Sequence, residues 1–189
     1  MKVSDNENLK KLFRTTANCL TIYRAIIALP LIFLLSNGQL EIAWFFIFSA
    51  AVSDVLDGFL ARRAGGGSVF GAKLDPLADK ILIICPLIWL NQNQLLPAWA
   101  IWLLISREIL VTGWRLEAHK GGPASLQGKI KTILQFTSIL FLIWPHSFGG
   151  ILLANKIQII GWYLFWPSLI IAMSSLFSYI KPQLISNPK

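Results

Sequence analysis

Residues 54–79 read DVLDGFLARRAGGGSVFGAKLDPLAD, a stretch that places four aspartates between two apolar runs. Asp54 and Asp57 lie at the end of the first run, and Asp75 and Asp79 lie at the start of the second. An ionised carboxylate in a membrane helix costs roughly 2.5–3.5 kcal/mol at mid-span, so such residues need partners and usually mark function. The stretch therefore predicts a functional site between two apolar helices.

Helical spacing predicts that the four carboxylates meet. Positions three, four and seven apart share one face of a helix. This rule gives one stripe with Asp54, Asp57, Gly58 and Ala61, and a second with Gly71, Asp75 and Asp79. The short glycine-rich turn between the two runs favours antiparallel packing of the helices. The small residues in the stripes leave space for a ligand or for close helix packing.

Four neighbouring carboxylates repel one another unless they are protonated or bound to cations. Two divalent ions would balance their charge, and oxygen ligands without His or Cys favour Mg²⁺ or Mn²⁺. Two such ions about 4 Å apart are a known arrangement for displacement at phosphorus. Two alternatives stay open at this point. One is a structural ion-pair cluster with the nearby Arg and Lys residues, and the other is a cation-transport site.

The composition of the chain is typical of a membrane protein. Of its 189 residues, 55% are hydrophobic and only 14% are charged, whereas about a quarter of the residues in soluble domains are charged. The net charge is +8, and the basic residues are spread between apolar runs. This distribution favours anionic lipid headgroups and phosphorylated substrates as partners, and it argues against nucleic acid.

Six apolar stretches approach the roughly 20 residues that a helix needs to cross a bilayer. They cover residues 20–36, 40–61, 75–90, 97–116, 130–145 and 157–180. We therefore predict an all-α integral membrane protein with six transmembrane helices in one domain, residues 1–189. Residues 1–18 form an N-terminal cytoplasmic or interfacial segment. In this segment Leu9, Leu12 and Phe13 recur at helical spacing, which indicates an amphipathic surface helix; a frayed basic terminus is the alternative.

The positions of Lys and Arg predict the orientation of the chain. Basic residues precede the first span and follow the last one. They also lie in the turn between the second and third spans and in the turn between the fourth and fifth spans. The three opposite connections contain a single basic residue, Lys156. Both termini and the aspartate site are therefore expected on the cytoplasmic side.

The fixed positions of the 54–79 stretch resemble the signature of the CDP-alcohol phosphotransferase family. That signature has two aspartates three apart, a glycine, an alanine–arginine pair, a second glycine and two aspartates four apart, and every position is present here. Residues 18–24 resemble the opening of the first span in these enzymes. Residues 106–115 and 128–135 are similar to the bacterial phosphatidylglycerophosphate synthase branch of the family. The likeness thus covers most of the chain, but residues from 156 onward add little to it.

The resemblance implies a transfer of the phosphatidyl group from CDP-diacylglycerol to sn-glycerol 3-phosphate, with release of CMP. It implies that Asp54, Asp57, Asp75 and Asp79 hold two Mg²⁺ or Mn²⁺ ions, with Asp79 also acting as general base. It further implies that the CDP-lipid contacts Gly58, Ala61, Arg62 and Gly71. A bacterial inner membrane location and a homodimer are expected on the same ground. Other acceptors, phosphatidylglycerol giving cardiolipin or an inositol phosphate, stay open.

The phosphate of the acceptor needs a second cationic pocket. The candidates lie in the fourth span and at the start of the fifth, and they are Arg107, Arg115, Lys129 and Lys131. The alternative is a Glu108–Arg115 ion pair, seven residues apart on one helix, with the two lysines as interfacial anchors. Arg24, near the cytoplasmic end of the first span, either reaches the aspartate site or extends to the headgroups.

Overall fold

The structure, a computed structural model, describes residues 2–63, 69–117 and 126–185. Within these ranges the regular elements are six α-helices, which confirms the predicted all-α class. In chain order they are α1 Lys2–Ser36, α2 Leu40–Arg63, α3 Val69–Gln92, α4 Ala98–Glu117, α5 Leu126–Leu142 and α6 Gly150–Ile185.

Several helices are longer than the sequence predicts. α1 runs without interruption from Lys2, so the N-terminal segment is helical and continuous with the first apolar run. Its position on a membrane surface stays a prediction. α6 begins at Gly150, whereas the sequence predicts a polar connection up to Lys156. Gly149 and Gly150 have φ angles of +94° and +85°, which glycine adopts without steric cost. The chain therefore turns at these two glycines, and the polar residues after them are helical.

Two tight turns of the same type end α1 and α3. After α1, the Gly38 amide donates to the Leu35 carbonyl at 3.2 Å and the Gln39 amide donates to the Leu34 carbonyl at 2.9 Å. This pair of bonds is the Schellman arrangement, which places its central residue at positive φ. Gly38 has φ +71°, and Gln94 occupies the equivalent place after α3 with φ +58°.

Two helices are long and apolar enough to cross a membrane, by length and composition, among the described residues. They contain the stretches Cys19–Ser36 and Gly150–Phe177, and shorter apolar stretches cover Lys80–Gln92 and Ile130–Leu142. Large apolar side chains point outward in these helices, for example Phe33 at 72% exposure and Leu152 at 77%. Such a surface is expected against lipid rather than water. The count of six spans and the location of the termini stay predictions.

The chain divides into two compact units, Met1–Pro86 and Leu87–Lys189. In the first unit α1 packs along α2. Leu31 and Leu35 of α1 are buried, as are Ala43, Ile47 and Ala50 of α2. The two alanines allow the helix backbones to approach closely. A single domain over residues 1–189 stays a prediction.

In the second unit α5 packs along α6, and α4 also contacts α6. The α5–α6 contact is close at Gly161, whose carbonyl accepts a 2.8 Å hydrogen bond from the buried Ser138 hydroxyl. Trp99 of α4 lies with its ring centroid 5.6 Å from that of Trp166 of α6. The unit therefore combines small-residue packing with aromatic contacts between helices.

Candidate active site

The contact between α1 and α2 ends in an ion pair. The buried face of α1 runs from Leu31 through Ile27 to Arg24, and that of α2 runs from Ile47 to Asp54. Arg24 Nη1 donates to Asp54 Oδ1 at 2.5 Å. The Arg24 side chain is fully buried, while that of Asp54 is 35% exposed. Arg24 therefore reaches the aspartate stretch and does not extend to the membrane surface.

The helices place the four aspartates at the predicted helical spacing. Asp54 and Asp57 lie three residues apart on the continuous α2, and Asp75 and Asp79 lie four apart on the continuous α3. The side chains of Asp57, Asp75 and Asp79 are outside the described part of the structure. Their convergence with Asp54 stays a prediction. Among the side chains that are described, no group of three or more His, Cys, Asp or Glu residues comes together.

The predicted nucleotide contacts lie on the same two helices. Gly58, Ala61 and Arg62 belong to α2, and Gly71 belongs to α3; the surroundings of these four residues lie outside the described part of the structure. The backbone is helical up to Arg63 in α2 and again from Val69 in α3.

The donor set of this stretch fits divalent metal ions. All four candidate ligands are carboxylates, which hard cations such as Mg²⁺ and Mn²⁺ prefer. Asp54 is partly exposed, and Arg24 fixes the orientation of its carboxylate. Metal-ligating carboxylates are in general held by hydrogen bonds from a second residue. Arg24 gives Asp54 that support.

A second charged cluster lies in the second unit, at the contact of α4 with α5. Glu108 Oε1 accepts hydrogen bonds from Arg107 Nη1 at 2.9 Å and from Lys131 Nζ. All three side chains are buried. The described side chains of this cluster are two cations and one carboxylate. Buried cations favour an anion nearby, because charges interact more strongly away from water.

Arg107 also connects α4 to α6. Its Nε donates to the Ala172 carbonyl at 3.1 Å, and its Nη2 donates to the Ser175 hydroxyl at 2.6 Å. No sequence pattern indicated these contacts, since they join residues more than sixty positions apart. The guanidinium therefore holds two helices together in addition to its contact with Glu108.

The structure bears on the alternative for the acceptor pocket. Lys131 is 4% exposed, so it is not an interfacial anchor that extends to headgroups. Glu108 pairs with Arg107 and Lys131. Arg115 lies on α4 and Lys129 lies on α5, and their side chains are outside the described part. Of the four predicted pocket residues, the described part of the structure shows two, Arg107 and Lys131, and both are buried and bonded to Glu108.

A neutral polar side chain lies one turn from this cluster. Gln135 follows Lys131 by four residues on α5 and is 1% exposed. Neither its Nε2 nor its Oε1 has a hydrogen-bond partner within the described ranges. Nearly all buried polar atoms in proteins are hydrogen-bonded. Gln135 is therefore an exception that requires an explanation.

Helices with outward apolar side chains are typical of a helical membrane protein. The sequence pattern of the CDP-alcohol phosphatidyltransferase family matches residues 14–174. The chain therefore belongs to the CDP-alcohol phosphatidyltransferase family. Members of this family are membrane-bound and in general depend on divalent metal ions.

Bacterial relatives resemble the chain over most of its length. A protein of Mycobacterium tuberculosis named probable phosphatidylglycerophosphate synthase is 38% identical over 141 residues, which are 69% of this chain and 66% of the relative. Relatives from several other bacteria are named CDP-diacylglycerol–glycerol-3-phosphate 3-phosphatidyltransferase. That of Wigglesworthia glossinidia brevipalpis is 34% identical over 85% of this chain and 90% of its own length. That of Shigella flexneri is 30% identical over 86% and 91%.

Proposed function

We propose that this chain transfers the phosphatidyl group of CDP-diacylglycerol to sn-glycerol 3-phosphate, giving phosphatidylglycerophosphate and CMP. The observation that carries the proposal is the 34% identity to the Wigglesworthia enzyme named for this reaction, over 90% of that enzyme. The mycobacterial and Shigella relatives have names that denote the same product or reaction. Phosphatidylglycerol and inositol phosphate are therefore not favoured as acceptors.

Asp79 acts as general base in this proposal. Its carboxylate takes the proton from the acceptor hydroxyl, and the hydroxyl oxygen then bonds to the β-phosphorus of the CDP-lipid. The bond from that phosphorus to the bridging oxygen breaks, and CMP leaves with the electron pair. Asp54, Asp57, Asp75 and Asp79 would hold two divalent ions, Mg²⁺ or Mn²⁺. When bound, such ions stabilise negative charge on the entering and leaving oxygens.

Arg24 is the positioning residue for Asp54. Its buried guanidinium holds one carboxylate oxygen at 2.5 Å, so the carboxylate keeps one orientation. The nucleotide half of the donor is assigned to Gly58, Ala61, Arg62 and Gly71. The three small residues let the substrate approach the backbone, and Arg62 offers a planar fork to phosphate oxygens.

The phosphate of the acceptor is assigned to the cationic set of α4 and α5, which consists of Arg107, Arg115, Lys129 and Lys131. Its support is the burial of Arg107 and Lys131, whose side chains meet at Glu108. Glu108 holds the Lys131 ammonium and the Arg107 guanidinium together, because each cation donates to the same carboxylate oxygen.

The proposal also includes the arrangement of the chain in the membrane. It comprises six spans, cytoplasmic termini, a cytoplasmic active site in the bacterial inner membrane, and a homodimer.

An acceptor panel tests the proposal directly. The purified chain, with CDP-diacylglycerol and either Mg²⁺ or Mn²⁺, receives sn-glycerol 3-phosphate, phosphatidylglycerol or inositol phosphate in parallel, and the product lipid is identified by mass spectrometry. We expect phosphatidylglycerophosphate and an equal amount of CMP with sn-glycerol 3-phosphate, and no product after chelation of the metal. Cardiolipin or an inositol lipid as the main product would overturn the acceptor assignment. Cation uptake into liposomes without CDP-lipid, together with no CMP from any acceptor, would support a carrier.

A further inference from the structure

The buried amide of Gln135 requires a partner that both donates and accepts hydrogen bonds. Its Nε2 can donate two and its Oε1 can accept two, and neither atom is bonded to any residue that the structure describes. Leaving a buried polar group unsatisfied destabilises the folded protein. A side chain as apolar as the neighbouring Ile139 would avoid that cost, so a purely structural role does not explain an amide at this position.

The place of Gln135 on α5 connects it with the charged cluster. Residues four apart on a helix lie on the same face, with Cβ atoms about 5–6 Å apart. Lys131 and Gln135 are both buried, so this face of α5 presents an ammonium and then an amide one turn further along the helix. The ammonium is bonded to Glu108, whereas the amide is bonded to no described residue.

The chemistry of this pair selects a class of ligand. A phosphate alone would accept from Nε2 and leave Oε1 without a donor. A hydroxyl can accept from Nε2 or donate to Oε1, and a molecule with a phosphate next to hydroxyls matches an ammonium next to an amide. One helical turn is comparable to the distance between the phosphate and the hydroxyls of a three-carbon polyol phosphate. The pair therefore fits a glycerol phosphate group.

We infer that Gln135 is a specificity-determining residue that binds the non-reacting hydroxyl of the acceptor, while the cationic cluster that contains Lys131 binds its phosphate. The inference rests on the proposed function, which assigns the phosphate to this cluster. It adds the group that distinguishes a glycerol phosphate from a simple alkyl phosphate. The headgroup of phosphatidylglycerol carries the same glycerol phosphate chemistry and is the second source that the experiment must separate.

The test compares sn-glycerol 3-phosphate with 3-hydroxypropyl phosphate, which lacks the middle hydroxyl. Calorimetry measures binding of both to the detergent-solubilised full chain, and the transferase assay measures kcat/KM for both. We expect the unchanged protein to prefer sn-glycerol 3-phosphate by about 10- to 100-fold, because the analogue leaves the amide unsatisfied. Gln135→Met removes the amide at nearly constant size, and we expect it to abolish the preference by weakening sn-glycerol 3-phosphate alone.

Three further measurements distinguish a role of Gln135 in acceptor specificity from a structural role. Gln158→Met is the matched control, because Gln158 of α6 is half-buried and donates to the Trp144 carbonyl at 3.3 Å, and we expect it to keep the preference. Without acceptor, Gln135→Met should unfold at a higher temperature than the unchanged protein, since it removes an unsatisfied amide. Gln135→Asn provides a second variant, which keeps the amide but shortens its reach, and it should lose most of the preference.

Each contrary result has its own meaning. A lower unfolding temperature for Gln135→Met, or equal loss of binding for both phosphates, would overturn the inference and leave the proposed function intact. Turnover by the unchanged protein with neither phosphate would count against the proposed function, and the calorimetric preference would still decide the role of Gln135. A preference that disappears when the detergent is replaced by nanodiscs of phosphatidylglycerol, but persists in phosphatidylcholine, would assign the amide to a lipid headgroup and overturn its role toward the acceptor.

Discussion

Arg24 Nη1 lies 2.5 Å from Asp54 Oδ1, so the first aspartate of the 54–79 stretch is held by a guanidinium from a different helix. The guanidinium is fully buried and the carboxylate is 35% exposed. Removal of one member of a buried pair leaves the other charge uncompensated, which costs about 3–5 kcal/mol when both are buried. Because Asp54 is partly exposed, water compensates for part of this cost.

Arg24→Met should lower the free energy of unfolding by about 1–3 kcal/mol, somewhat less than for a fully buried pair. Loss of a residue that supports a metal-ligating carboxylate usually weakens metal affinity about 10- to 100-fold. We therefore expect Mg²⁺ or Mn²⁺ to raise the unfolding temperature of Arg24→Met by less than it raises that of the unchanged protein. Denaturant titration and thermal unfolding in detergent, with and without metal, measure both effects.

Arg24→Lys is the control for charge, because an ammonium preserves the positive charge but loses the planar fork. It should cost less stability than Arg24→Met and keep more of the stabilisation by metal. If metal stabilises Arg24→Met as much as the unchanged protein, Arg24 does not position Asp54 for the metal site in the way proposed.

Glu108→Gln should destabilise the second unit by about 3–5 kcal/mol, because Arg107 and Lys131 would then lose the buried carboxylate that they share. The double variant Glu108→Gln with Lys131→Met should be more stable than the sum of the two single losses predicts, since it removes one cation together with the anion. Denaturant titration of the four proteins measures this coupling.

The matched control is Glu7→Gln, which makes the same change at an exposed position of α1. Such surface substitutions usually alter stability by less than about 0.5 kcal/mol. Strict additivity of Glu108→Gln and Lys131→Met would mean that their contact contributes nothing to stability.

The sequence predicted the all-helical class because apolar runs of helical length are a strong signal. It also predicted that Asp54 and Asp57 share one helix and that Asp75 and Asp79 share the next, as α2 and α3 confirm. Helix ends were predicted less well. The polar residues before Lys156 indicated a loop, but they lie in α6, because the turn is made earlier at Gly149 and Gly150.

Contacts between helices were the part that a single sequence did not determine. Arg24 and Asp54 are 30 positions apart, and Glu108 and Lys131 are 23 apart. Their pairing depends on how each helix is rotated toward its neighbour, which the packing of small residues such as Ala50 decides. The sequence predicted that Arg24 lies near the aspartate site. It did not decide whether the Arg24 side chain reaches that site or extends to the lipid headgroups.

Asp79→Asn should abolish CMP release while leaving the protein folded. The amide has nearly the same shape as the carboxylate, but it cannot accept the proton of the acceptor hydroxyl. Loss of general base catalysis alone costs about 10²–10⁴-fold in rate, and loss of a charged metal ligand adds to it. Release of CMP measures activity, and an unchanged elution volume with an unfolding temperature near that of the parent checks the fold. Turnover above about a tenth of the parent rate would exclude Asp79 as the base.

Gly161→Ala should disrupt the contact between α5 and α6. A Cβ atom at this position would lie 2.8 Å from Phe141 Cβ, 2.9 Å from the Leu142 amide nitrogen and 3.0 Å from the Ser138 carbonyl oxygen. Two of these atoms are backbone, so the helices must separate, and such overpacking costs about 1–3 kcal/mol.

Gly113→Ala is the control, because a Cβ there meets nothing within 4 Å. At that helical position alanine should raise stability by about 0.5–1 kcal/mol. Opposite signs for the two variants in thermal unfolding would confirm close α5–α6 packing at Gly161, and equal gains would contradict it.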